Sequence, residues 1–141
     1  MLVAPERFDR RQFRTMNEIA TIRSRADLDR LWNSSHQKPV FLLKHSLVCG
    51  TSHAALETYR SFADSLDSPQ TLALLEIQPH RDLSNEVAER AKVRHQSPQV
   101  LLIIDGSVVW SRTHWSIQKT GLEKALEQYS PAAWVAVAAE G

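Results

Sequence analysis

The chain has 141 residues and a mass of 16.0 kDa, the size of one domain with an ordinary buried core. Its 17 basic and 16 acidic residues leave a formal charge of +1, which excludes the broad positive field that nucleic acid or an anionic membrane surface attracts. A single cysteine, Cys49, excludes an internal disulfide, and the absence of a secretory apolar stretch behind the basic N-terminus points to a reducing cytoplasm with Cys49 as a free thiol.

Residues 1–16 carry Arg7, Arg10, Arg11 and Arg14 against Glu6 and Asp9 with no apolar period, and are expected to form a disordered arm before a domain spanning 17–129. Glu18 to Ile22 reads as a short strand. Ser24, with Asp27 three residues on, has the spacing of a helix cap, and Leu28, Leu31 and Trp32 give that helix one apolar face. Behind Pro39 the run Val40, Phe41, Leu42, Leu43 is unbroken, as a central strand covered on both faces requires. Polarity returns at Lys44, His45 and Ser46. After Cys49, the residues Ala55, Tyr59, Phe62 and Leu66 line one face of a second helix, which Ser68 and Pro69 end.

Leu72 to Ile77 is a further strand, and Leu83, Val87, Ala88 and Ala91 stripe a third helix. Val100 to Ile104 and Val108 to Trp110 flank Asp105 and Gly106, a strong signal for a tight antiparallel hairpin. Leu122, Ala125, Leu126 and Tyr129 mark a last helix. Beyond it, residues 130–141 form an apolar tail around Trp134, Val135 and Val137, broken from the helix by Pro131 and far too short to cross a bilayer. The order βαβαβαββα is satisfied by an α/β fold, a central mixed sheet of four to five strands flanked by helices on both faces. Thioredoxin-like folds share this order, as do other α/β folds.

Cys49 lies between the central strand and a helix, where open α/β sheets bind ligands. A helix N-terminus presents unpaired N–H groups and partial positive charge, both of which favour thiolate over thiol. Lys44 and His45 are near in sequence, and His53 one turn on adds positive field when protonated. Gly50, Thr51 and Ser52 complete the motif. Ser52 stands where Cys-x-x-Cys oxidoreductases carry their resolving thiol; its hydroxyl can hydrogen-bond a thiolate but cannot close a disulfide, so a mixed disulfide on Cys49 must await a thiol from solution. The competing readings are a buried, inert Cys49 and a simple first-turn cap at Ser52. Ser97 and Pro98 precede a buried strand, where an X-Pro bond is either an ordinary strand start or a cis bond exposing backbone to substrate. The six histidines show no zinc-like spacing, so no metal is assigned. His114 and Trp115 read first as packed side chains and second as a recognition edge.

The stretch Phe41-Leu42-Leu43-Lys44-His45-Ser46 leading to Cys49-x-x-Ser52, the run Arg81-Asp82-Leu83-Ser84-Asn85, and His95-Gln96-Ser97-Pro98-Gln99 before a strand and Asp105-Gly106 resemble the monothiol bacilliredoxins, also called the bacillithiol system redox-active YtxJ family. The resemblance covers residues 17 to 129. It implies a thioredoxin-like fold, Cys49 as nucleophile, Pro98 in the cis-proline position, and removal of bacillithiol from protein mixed disulfides. Bacillithiolated proteins would then be the partners and bacillithiol the thiol co-substrate, with no bound cofactor. One departure is that the family commonly carries Pro-Ile after the cysteine, where this chain has Gly50-Thr51. Cys49-Gly50-Thr51-Ser52 is similar to the Cys-Gly-Phe-Ser of monothiol glutaredoxins, many of which carry an iron-sulfur cluster, although the glutathione-binding Gly-Gly-x-x-Asp segment is missing after the hairpin. An iron-sulfur carrier and a non-catalytic binding module are the alternatives.

Overall fold

The computed structural model describes residues 18–129; the expected N-terminal arm, 1–16, and C-terminal tail, 130–141, lie outside them. Strands β1 (Ile19–Thr21), β2 (Val40–His45), β3 (Thr71–Glu76), β4 (Gln99–Ile104) and β5 (Ser107–Thr113) form one sheet in the order β1-β3-β2-β4-β5. The first three strands in that order run parallel, and β4 and β5 are antiparallel to their neighbours. Helices α1 (Arg25–Ser34), α2 (Gly50–Ser65), α3 (Arg81–Ala91) and α4 (Lys119–Gln128) cover it, with short 3-10 turns at Gln78–His80 and His114–Ser116.

Strand alternation sends the odd residues of β2 to one face and the even residues to the other. Phe41 and Leu43 pack with Ala55, Tyr59 and Phe62 of α2 and with Leu122 and Ala125 of α4. Val40 and Leu42 pack with Leu28, Leu31 and Trp32 of α1 and with Leu83 and Val87 of α3. All six residues of β2 are buried, which is why the strand carries no polar alternation. Each fully buried Leu or Phe here contributes about 1.5–3 kcal/mol of transfer free energy.

Local chemistry agrees with these elements. The Ser24 hydroxyl accepts the Asp27 N–H at 3.1 Å and starts α1. At the hairpin, Asp105 and Gly106 adopt φ of 52° and 79°, the left-handed pair that a two-residue turn of this hand needs. Buried Ser35 pins the turn to the end of α1: its carbonyl accepts the Asp105 N–H at 2.7 Å and its hydroxyl the Gly106 N–H at 2.9 Å. The second helix stops at Ser65, earlier than Ser68 and Pro69 predict, because Leu66 turns extended with ψ 140°. No helix among the described residues is long and apolar enough to cross a membrane.

Candidate active site

The parallel pairing of β2 with β3 and the antiparallel pairing with β4 bring three chain segments to one end of the sheet. Lys44 is opposite Gln99, so the register carried one step further sets His45 beside Pro98. The Ser97–Pro98 bond is cis, and the Pro98 carbonyl accepts the His114 N–H at 3.1 Å. Beyond β3, Gln78 clamps the loop that leaves β2. Its Oε1 accepts the Leu47 N–H at 2.9 Å, and its Nε2 donates to Ser46 Oγ at 3.0 Å.

That loop delivers Cys49 as the N-cap of α2, with extended backbone at φ −109° and ψ 125°. Its carbonyl accepts the His53 N–H at 3.1 Å, the first turn of the helix. Cys49 is partly exposed at the N-cap position, and its side chain makes no capping hydrogen bond of its own. The backbone N–H of Ser52 is the largest influence holding the thiol's pKa below the ordinary value; partial burial opposes it, and the N–H and hydroxyl of Thr51 add to the lowering. The helix terminus therefore acts through identifiable donors. Gly50, the first helical residue, is exposed, and a Cβ there would meet nothing within 4 Å.

The neighbours expected to share this task do different work. Lys44 does not reach the sulfur. It is fully buried on the α3 face, where its Nζ donates to His95 Nδ1 at 2.7 Å and to the Ser84 carbonyl at 3.3 Å, and burial lowers its pKa to about 8. His45 faces the other way and is buried, which holds its pKa below the usual imidazole range; the nearby His53, 5.8 Å away ring to ring, pushes in the same direction. His45 is thus neutral near pH 7 and supplies no positive charge. The Ser52 hydroxyl is not on the sulfur either. Fully buried, it accepts the Ser46 N–H at 2.8 Å and bonds His45 Nδ1 at 2.9 Å, so it ties the loop to the strand end.

Ser97 lies beside the cis bond with its Oγ buried and without a hydrogen-bond partner among the described residues. Trp115, expected first as a packed ring, is 73% exposed, and Val48, next to Cys49, is 83% exposed. Gln78 was not foreseen at the site, and His95 was named only within a family-like run, because their contacts with the site and with Lys44 span 31 to 51 residues and leave no local trace. Among the described residues no group of three or more His, Cys, Asp or Glu side chains is placed to hold a metal ion.

This is the geometry of a partly exposed thiol at a helix N-terminus, its pKa lowered by the groups of the first turn, with no second thiol beside it. The sequence profile of the family described as monothiol bacilliredoxin BrxC matches residues 20–122. Among solved structures, one described as a proposed oxidoreductase with a thioredoxin fold is 31% identical, with a TM-score of 0.69 over 76% of this chain and 92% of that one. A mutant thioredoxin from Halobacterium salinarum is 18% identical, with a TM-score of 0.64 over 81% of this chain and 92% of its own. The thioredoxin of Fasciola hepatica is 15% identical, with a TM-score of 0.63 over 79% of this chain and all of its own. The last two share the fold.

Proposed function

The chain belongs to the monothiol bacilliredoxin family, and on that premise we propose that it removes bacillithiol from protein mixed disulfides in the reducing cytoplasm. Family and fold support a thiol redox role. The observation that carries the reading is the placement of Cys49, partly exposed at the N-cap of α2, where the N–H of Ser52 and then the N–H and hydroxyl of Thr51 lower its pKa.

In the first step the Cys49 thiolate attacks the bacillithiol sulfur of the mixed disulfide. A new sulfur–sulfur bond forms at Cys49, the old bond breaks, and the electron pair leaves on the protein thiolate. Donors at the helix terminus make Cys49 a good leaving group as well as a nucleophile. Ser52 offers no second thiol, so the adduct on Cys49 persists until a bacillithiol thiolate attacks it. That second exchange releases oxidised bacillithiol and restores the Cys49 thiolate. The cis Pro98 segment, set beside the end of β2, would align the incoming disulfide through its backbone.

Mass spectrometry tests this reading. Incubation with oxidised bacillithiol should give one adduct on Cys49 that added bacillithiol discharges, with oxidised glutathione the slower partner. Preferential loading and discharge of glutathione would refute the bacillithiol assignment. Failure of both disulfides to load would refute the redox role.

A further inference from the structure

Lys44 is a buried cation whose counter-charge is missing. Among the described residues its Nζ meets no carboxylate, only the Ser84 carbonyl and His95 Nδ1. Burying an ammonium is costly unless an anion pairs with it. Both of its partners, Ser84 and His95, line a cleft of about 160 Å³ that Ile77, Arg81 and Asn85 complete. No acidic residue lines that cleft, and Arg81 forms none of the ion pairs among the described residues.

The protonation pattern sharpens the donor set. Burial, and then the charges of Lys44 and Arg81, keep the His95 ring neutral. Its Nδ1 accepts from Lys44, so the ring proton belongs on Nε2. The lining residues thus carry a guanidinium, an imidazole N–H, an amide and a hydroxyl, and the Lys44 ammonium bonds two of these residues, a set suited to a carboxylate. The cleft is also tied to the Cys49 loop. The Ile77 N–H bonds the His45 carbonyl at 3.0 Å, Gln78 holds Ser46 and Leu47, and His95 stands three residues before the cis Pro98.

We propose that this cleft binds the carboxylate of the small thiol whose sulfur is carried on Cys49. The identity of the ligand rests on the function proposed above; the site itself rests on Lys44, Arg81 and His95. Two measurements on the full chain separate them. Succinate added to the reduced protein should shift the NMR resonances of Arg81, Asn85 and His95, and Arg81→Gln, which removes one charge-assisted hydrogen bond, should weaken its binding about tenfold. Loading of Cys49 from the symmetrical disulfide of mercaptosuccinate should slow about tenfold in the same variant, whereas loading from the uncharged disulfide of mercaptoethanol should not change. Resonances indifferent to succinate, or equal slowing with both disulfides, would overturn the site. Succinate binding by a protein that neither disulfide can load would keep the site and remove the thiol from it.

Discussion

Replacing Ser52 with alanine separates the architecture of the active-site loop from the ionisation of its sulfur. The hydroxyl is fully buried between the Ser46 N–H, 2.8 Å away, and His45 Nδ1, 2.9 Å away. Alanine strands both groups, and at about 1–3 kcal/mol for each buried group left without a partner the expected loss is about 2–4 kcal/mol, with some relief as the loop relaxes. That is a large share of the 5–15 kcal/mol by which domains of this kind are stable, by order of magnitude. The backbone N–H of residue 52, the leading donor to the sulfur, survives the change. Urea unfolding should therefore record a large fall in stability while the pH dependence of Cys49 alkylation in the folded protein barely moves. A variant as stable as the parent within about 0.5 kcal/mol, with its alkylation profile moved to higher pH, would show that the hydroxyl serves the thiolate directly and that the reasoning is wrong.

Thr51→Val removes a hydroxyl from the sulfur and keeps the N–H, so the alkylation profile should move to higher pH with little effect on unfolding; an unmoved profile would exclude the hydroxyl contact. Lys44 titrates at about 8 in the fold against 10.5 when unperturbed. Between those values the unfolded chain binds more protons, so stability rises with pH. Relative to Lys44→Met, the native protein should gain about 3 kcal/mol from pH 7 to pH 10.5 in chemical denaturation, the penalty being complete below pH 8; parallel curves would refute a buried charged lysine. Gly50→Pro restores the proline that the family commonly carries. It falls at the first helical position, with open space for the ring and an extended Cys49 before it, so a gain of about 0.4–1 kcal/mol with an unchanged alkylation profile is expected, and marked destabilisation would contradict it.

The order of elements was legible because each signal is local. An unbroken apolar run can only be a doubly covered strand or a buried helix, and four residues behind Pro39 are too few for the latter. Asp105-Gly106 between two such runs leaves little choice but a hairpin. Cys49 at a helix start could be read for the same reason. The roles of Lys44 and His45 could not be read from proximity, because adjacent residues of a strand point to opposite faces. Period-two alternation, already implied by Leu42 and Leu43, would have sent Lys44 to the α3 layer and only His45 to the α2 layer. The partner of Lys44 was out of reach, since His95 is brought to it by the pairing of β2 with β4. Ser52 shows a further limit: its position in the motif suggested that its hydroxyl serves the sulfur, while the folded loop takes that hydroxyl and leaves the N–H for the thiolate.

Residue 49 must ionise more readily than a free cysteine if exchange through it is to be fast in both directions. The direct measurement is the rate of iodoacetamide labelling of the native chain against pH, read by intact mass. An inflection clearly below the ordinary thiol value of about 8.5, lost on denaturation, is the expected result. An inflection at or above that value in the folded protein would contradict the account.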